Sequence, residues 1–583
     1  MLGEDGDNHM IIQELLDEAL KCHNAGAVHK AQNHYFKILQ IEPNEPDANH
    51  FMGVAYHQLG QNDQALKFLE KAVYLKPNSS QAFNHYGCAL LASRQINEAE
   101  DSFRKAIKLD SSNSEALFNL GNSICSKKIL TNQFSQRVEV NRAIEAVSLL
   151  NQAISQQPDQ LGWKIRLADA LISADEVDKA RQLLDSIITI QADLPEVYFL
   201  RASLKKGILR DRDLQRCLIL QPSAKTALNN LAFSNLMAGR VNAVLSLYKK
   251  GIITDPFDAE VRWGLATGLL ANGRLKEGWQ AAKWRHLKPE LYIDRKGLPP
   301  EWDGKPLKQG KLFVFQEQGI GDELRFASCF GDLPKAAKSP CVIETDPRLA
   351  PLFSRSFPEI QFIDKLPRDL GPPVSVDFEH IKQANNLSAH CALADLALHL
   401  RPTIEAFPQN SSYLKPDPSA CKMWRERLNR LGSGLKVGFC WQTALPSKMY
   451  EDYFFRIQEL EPVFAIKNIN LVNLQYTECE NELKEVESQF GISIYRPEHI
   501  DMFNELDDVA ALIHELDVVI GPMTSVISMA GAVGTRCFGV SLHPDWTSLG
   551  TDKQLWTPEM TCFYRGHSET WAHVIKSIAS RLC

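Results

Sequence analysis

The sequence predicts a helical repeat solenoid followed by two α/β lobes. Three observations carry this reading. The first half repeats itself with a period of about 34 residues. The stretch FQEQGIGDELRFA, at 315–327, joins an apolar strand-like run to a helical pattern, and a second alternation of strands and helices begins near residue 435. The implied divisions are a solenoid of about eight repeats over 1–286, a connecting segment over 287–310, a first α/β lobe over 311–425 and a second over 426–583.

The repeats are read from spacing. Asn49, Met52, Gly53, Tyr56, Ala65, Leu69, Ala72 and Pro77 are answered one period later by Phe83, Tyr86, Gly87, Leu90, Ala99, Phe103, Ala106 and Ser111. Leu117, Leu120, Gly121 and Ile124 open the next unit in the same way. Small residues fall where two antiparallel helices cross and large ones fill the gaps, which is the tetratricopeptide pattern. Ala31, Tyr35, Ile38 and Pro43 close a degenerate first unit. In the fourth unit the expected alanine arrives late, as Ala146, so a surplus lies in or near Lys127 to Asn141 and should protrude or lengthen the helices. Further units follow at Leu167 to Leu184, Tyr198 to Pro222, Leu228 to Pro256 and from Leu265 to the end of GWQAAKWRH. Solenoids of this kind present a long surface that usually binds a peptide or protein. Asn84, Asn119 and Asn122 are candidates to pair with an extended backbone, solvated amides being the alternative.

The segment before Gly310 is rich in Pro, Gly and Lys and reads as a connection. Trp279, Trp284 and Trp302 near its ends suit pinning the last repeat to the next domain better than holding a cofactor.

In the first lobe, KLFV at 311–314, CVIETD at 341–346 and FPEIQFID at 357–364 read as strands, with helices at ELRFASCF and RLAPLFSRSF. Residues 388–400, SAHCALADLALHL, read as an apolar-faced helix. In the second lobe, strands are expected at 435–441, 470–476, 516–521 and 536–541. Asp507 and Asp508 suit the start of the helix DVAALIHEL. Open α/β sheets bind ligands beyond the carboxyl ends of their strands. Trp441, Gln442, Gln475 and Tyr476 sit at such ends, as do Thr524 and Ser525 at the start of TSVISMAGAVG.

Gly319 and Gly321 are expected to let the chain turn sharply against a ligand, with Asp322 reaching into the same crevice. Asp322 is a candidate general base or a helix N-cap. The amides and hydroxyls of Thr524 and Ser525 are candidates for a phosphate or for ordinary capping. Trp546 and Trp556 stack on a base, close a lid or lie in the core.

Composition excludes several classes. A net charge of -7 with no basic cluster speaks against nucleic acid. Thirteen scattered cysteines with no metal spacing read as free thiols in a reducing cytoplasm, with no bound metal expected. The start of the chain lacks the features of a signal peptide, and no apolar run is long enough for a membrane span. No hydrolase elbow, zinc-protease motif or kinase lysine set is present.

PPEWDGKPLKQGKLFVFQEQGIGDELRFA, DDVAALIHELDVVIGPMTSVISMAGAVG, HPDWTSLG and QLWTPEMTCFYR together resemble the two-lobed GT-B glycosyltransferase module found behind tetratricopeptide repeats in bacterial proteins. That module is related to heptosyltransferases and more distantly to the nucleocytoplasmic O-linked N-acetylglucosamine transferase. With LQYTECENEL and HIDMFNELDDVAAL, the chain looks most similar to bacterial flagellin glycosyltransferases. The resemblance implies a protein O-glycosyltransferase that moves a nonulosonic acid, pseudaminic or legionaminic, from a CMP-activated donor to Ser or Thr of flagellin. The repeats would hold the flagellin, the second lobe the donor, and Asp322 would be the base, with no metal. Relatives commonly read DTSxxHLAGALG, whereas this chain carries Met523 for the acid and Ser528 for the imidazole. That departure suits a donor with a single phosphate or a site without chemistry. Two alternatives stand beside the main expectation. One is a catalytically inactive flagellin-binding or chaperone module, and the other a GT-B enzyme with another nucleotide-sugar donor and a glycan acceptor.

Overall fold

The computed structural model describes residues 4–126, 133–205, 207–288, 293–365, 374–407, 409, 412–443, 453–566 and 570–582. The described residues fall into two compact units, Met1–Gln221 and Pro222–Cys583.

The first unit is a stack of antiparallel helix pairs whose second helices share one buried stripe. Ala31, Tyr35 and Ile38 recur as Ala65, Leu69 and Ala72, then Ala99, Phe103 and Ala106, then Ala146, Leu150 and Ala153, then Ala180, Leu184 and Ile187, all buried. The i, i+4, i+7 spacing puts each set on one helical face. Leu69, Phe103 and Leu150 of the stripe each meet a glycine on the preceding first helix. A methyl added to Gly53, Gly87 or Gly121 would come within 3 Å of Leu69, Phe103 or Leu150 respectively, so the helices cross too closely for a side chain there. The late alanine of the fourth repeat is explained in part by a lengthened second helix, Gln133–Gln156, of 24 residues against the 14 of Ile96–Leu109. Residues 127–132 of that surplus lie outside the described residues.

The second unit begins with two more helix pairs, Lys225–Met237 with Val241–Thr254 and Ala259–Ala271 with Leu275–Ala282, ending in a 3-10 turn at Lys283–Leu287. Strands follow in chain order: β1 Ile293–Lys296, β2 Lys311–Phe315, β3 Cys341–Thr345, β4 Ile360–Asp364, β5 Val374–Asp377, β6 Leu387–Ala392, β7 Leu435–Phe439, β8 Ile469–Asn473, β9 Ile494–Tyr495, β10 Val518–Pro522, β11 Cys537–Ser541 and β12 Met560–Tyr564. The first lobe is a parallel sheet of order β4-β3-β2-β6. The second is a six-stranded parallel sheet of order β12-β11-β10-β7-β8-β9. Read from its first strand, β7, that order is the doubly wound nucleotide-binding arrangement, with the strand order reversing between β7 and β10. The strands are short apolar runs because both faces are covered. Leu312, Phe313 and Val314 are all fully buried, as are Val518, Val519 and Ile520.

Two expectations from the sequence are corrected. Residues 388–400 are not one helix: β6 is followed by a 3-10 turn, Leu393–Asp395, and a short helix, Leu396–Leu400. The residues of β6 alternate, Leu387, Ala389 and Cys391 being buried while Ser388 and His390 are partly exposed, which is a strand period rather than a helical one. The connecting segment also contains structure, since β1 pairs in parallel with β5. Trp279 and Trp302 do pin it, both nearly fully buried. The Trp279 indole donates to the Arg401 carbonyl at 3.0 Å and that of Trp302 to Lys305 at 2.7 Å. Every described cysteine is a free thiol, and no helix among the described residues is long and apolar enough to cross a membrane.

The turn inside each repeat makes a stability prediction. Gly26 and Gly60 adopt left-handed backbone there (φ 75° and 72°), and one period later the same conformation falls on Arg94 (φ 63°). An L-residue in that region costs about 1–2 kcal/mol, against about 0.5–1 kcal/mol for the extra unfolded-state freedom of glycine. Arg94→Gly should therefore stabilise the chain by about 0.5–1 kcal/mol, read as a higher urea midpoint for the first unit.

Candidate active site at the carboxyl ends of the two sheets

The stretch after β2 forms the helix Ile320–Phe326, with Gly319 as its N-cap residue. Asp322 is therefore not the cap. It lies in the first turn, a third exposed, and its Oδ1 accepts from Arg325 Nη1 at 2.5 Å. Neither glycine makes the sharp turn the sequence suggested: Gly319 is extended (φ -79°, ψ 170°), and Gly321 is helical. Their use is spatial. The space in front of Gly319 is open, and a methyl on Gly321 would lie 3.6 Å from the Ser525 amide nitrogen.

Ser525 opens the helix Ser525–Val533 after β10, with Thr524 as N-cap residue and Gly534 closing it in left-handed conformation. The Thr524 side chain makes no cap hydrogen bond, and its hydroxyl lies 3.9 Å from Cys440 Sγ. Ordinary side-chain capping is thus not what Thr524 does. The starts of the two helices, one from each lobe, meet beyond the carboxyl ends of β2 and β10.

The helix Ile320–Phe326 separates two cavities. One, of about 270 Å³, is lined by Asp322, Arg325 and Phe326, by Met523, Asp545 and Trp546 from the second lobe, and by Trp263, Trp279 and Arg285 from the last helix pair. Trp546 is the half-buried wall of this cavity, stacked near-parallel on Phe326 with Arg325 over its face at 5.3 Å. Trp556, by contrast, is a core residue. Asp545 accepts from the Thr547 amide and hydroxyl, which fixes the turn carrying Trp546.

The second cavity, of about 140 Å³, lies on the other side of the helix, against Ile320 and Leu324. Tyr476, Thr443, Ser525, Phe503 and Arg348 line it over an apolar floor that includes Leu474 and Val526. The Thr443 and Tyr476 hydroxyls are 3.3 Å apart. Arg348 is held by both oxygens of Asp346 and lies over the Phe503 ring. The rings of Tyr476 and Phe503 edge this cavity, and it lies next to the start of Ser525–Val533.

Other residues singled out from the sequence do different work. Trp441 is buried and stacks on Phe439. Gln475 joins two strand ends: its Oε1 accepts from the Trp441 and Gln442 amides at 3.1 Å, and its Nε2 donates to the Gln442 carbonyl. Its amide is engaged in shaping the crevice. In the first unit Asn119 donates to Asn84 Oδ1 at 2.9 Å, and Asn84 donates to Glu115, so these amides link neighbouring repeats. Asn122 is half-buried and has a partner of its own.

Sequence reasoning missed Glu323, Arg285 and Trp263. Glu323 adjoins Asp322 and is almost fully buried. Its Oε1 accepts from the Thr345 hydroxyl and, at 3.2 Å, from the Asp346 amide, while Oε2 has no partner among the described residues. Burial pushes its carboxyl up to about 7, against the lowering effect of the Thr345 and Asp346 hydrogen bonds. Its position, one residue from a candidate base, was visible in the sequence, but its burial was not.

The tetratricopeptide repeat family matches residues 24–84 and 138–204, and a second model of the same repeat matches 80–113. Protein FlbA of Caulobacter vibrioides is 34% identical over 369 residues, which is 62% of this chain and 62% of that protein. The match thus spans less than two thirds of the curated relative. Solved structures that resemble parts of the chain include MamA (20% identity, 31% of this chain, 93% of that one, TM-score 0.26). PilF of Pseudomonas aeruginosa also resembles it (18% identity, 37% and 94%, TM-score 0.31). The chain is a tetratricopeptide-like helical array followed by two parallel sheets packed with helices, a GT-B-like two-lobed architecture.

The Glu323 carboxyl predicts a pH dependence. The unfolded group ionises near 4.5 and the folded one near 7, so the native state holds its proton longer. Its contribution is full below pH 4.5, falls as pH rises toward 7, and is gone above that. Glu323→Gln should therefore gain stability relative to the parent chain between pH 4.5 and 7.5, by about 3 kcal/mol, read from urea midpoints across that range.

Proposed function

We propose that the chain is a glycosyltransferase that moves a sugar from a nucleotide donor to a protein hydroxyl, the repeats binding the acceptor. The observation that carries this is the meeting of the Gly321 and Ser525 helix starts, with an aromatic cavity holding Asp322 on one side and the Tyr476 cavity on the other. In this reading Tyr476, Thr443 and Ser525 face the nucleotide. Asp322 takes the proton from the acceptor hydroxyl as its oxygen bonds to the anomeric carbon. The bond from that carbon to the phosphate oxygen breaks, and the nucleotide leaves with the added negative charge, near the amides that open Ser525–Val533. Flagellin as acceptor and a CMP-activated nonulosonic acid as donor are what the resemblance adds.

A second reading, a repeat protein that binds a flagellar polypeptide without transferring sugar, has observations of its own. Asp322 is ion-paired to Arg325, and Met523 stands where relatives carry an acid. The family matches cover the repeats alone and so support binding rather than transfer. Calorimetric titration with CMP, UDP and ADP separates the two, since a module without chemistry has no use for any of them.

The test of transfer is the intact mass of flagellin co-expressed with this chain and a nonulosonic-acid pathway. Mass increments matching that acid are expected with the parent chain. Asp322→Ala should lose them at least a hundredfold in rate while keeping nucleotide affinity. Increments at parental rate in that variant would remove Asp322 as base. None with the parent chain would favour the binding module.

A further inference from the structure

We propose that Arg285, contributed by the last repeat, is a positioning residue for the turn that carries Asp322. This rests on the reading of Asp322 as the reacting carboxylate.

In the first lobe the strand order reverses between β2 and β6, and the crevice beyond their carboxyl ends is where such a sheet ordinarily takes a ligand. Here part of that crevice is filled from within the chain. Arg285 is about 2% exposed. Its Nε donates to Glu317 Oε2 at 3.0 Å and its Nη2 to Glu317 Oε1, a two-point grip on the residue two places beyond β2. Its Nη1 donates at 2.7 Å to Asp395 Oδ1, three places beyond β6, and at 2.9 Å to the Ala282 carbonyl of its own element. Glu317 Oε1 also accepts from the Ala394 amide at 3.2 Å. His286 approaches both carboxylates, at 3.4 and 3.3 Å.

One guanidinium thus ties the repeat to both sides of the reversal. Burial alone would raise the Asp395 carboxyl, but the Arg285 charge, together with His286 and the hydrogen bonds from both, outweighs it and holds that carboxyl well below the usual range. The pairing is tight and desolvated, and loss of one member would strand the others. Glu317 is five residues from Asp322, and the helix start between them is otherwise open on the side of Gly319. The Arg285 grip sets where that helix begins and so where Asp322 points. The Tyr476 cavity has neither Arg285 nor Glu317 in its lining. Positioning of the base and binding of the donor therefore separate.

The test compares the full-length parent chain with Arg285→Lys, which keeps the charge but not the planar fork, and with Glu317→Gln. Two readouts are taken. The first is transfer kinetics: kcat should fall at least tenfold in both variants with the donor KM within twofold. The second is hydrogen exchange of peptides covering 316–322, which should quicken at least tenfold in both variants while the rest of the first lobe keeps its protection. Unchanged kcat and unchanged exchange in 316–322 would overturn the proposal, as would a general loss of protection with kcat and KM intact. If the parent chain transfers no sugar, the catalytic reading fails by itself. The exchange readout still decides whether Arg285 orders the turn.

Discussion

The approach of Gly321 to the Ser525 amide is the contact on which the two-lobed site depends. Two helices that begin face to face bring two positively polarised ends together, which is unfavourable unless negative charge lies between or beside them. Asp322, in the first turn of one helix, supplies part of it, while burial pushes the carboxyl of its neighbour Glu323 up to about 7.

The last two helix pairs belong physically with the α/β lobes. A methyl on Gly550 would come within 3 Å of the Gly273 backbone, so repeat and second lobe touch main chain to main chain. Trp279 packs edge-on against both Trp546 and Trp556. Together with the buried Arg285 ion pairs, these contacts explain why the second compact unit begins at Pro222 and not at the end of the solenoid. Trp263 and Trp279 then line the Asp322 cavity from the repeat side, so part of the cavity wall is built from the last helix pair.

What was legible in the sequence was whatever is local and periodic. The 34-residue spacing located the buried stripe residue by residue because each position repeats the same crossing of helices. The strands of both lobes showed as apolar runs because parallel sheets are covered on both faces. Residues 388–400 misled because a short alternating strand is followed at once by an apolar helix, and the sum imitates one amphipathic helix. The GIGD glycines serve close approach and open space, not the backbone handedness the sequence suggested. Arg285 could not be found by spacing at all. Its partners are 32 and 110 residues away, and nothing local distinguishes an arginine that will be buried from one at a repeat's surface.

The replacements at 523 and 528 take on physical content once placed. Ser528 is buried, with its hydroxyl 3.9 Å from where a Gly321 side chain would begin, so it faces the helix Ile320–Phe326. Met523 turns back over the sheet: a methyl on Gly539 would run into its sulfur. It therefore presents an apolar, polarisable wall to the Asp322 cavity, where an acid would add a third carboxylate to Asp322 and Asp545. Of the two arginines that line the cavity, Arg325 pairs with Asp322 and Arg285 with Glu317 and Asp395, so a methionine at 523 adds no carboxylate that would need a cation of its own.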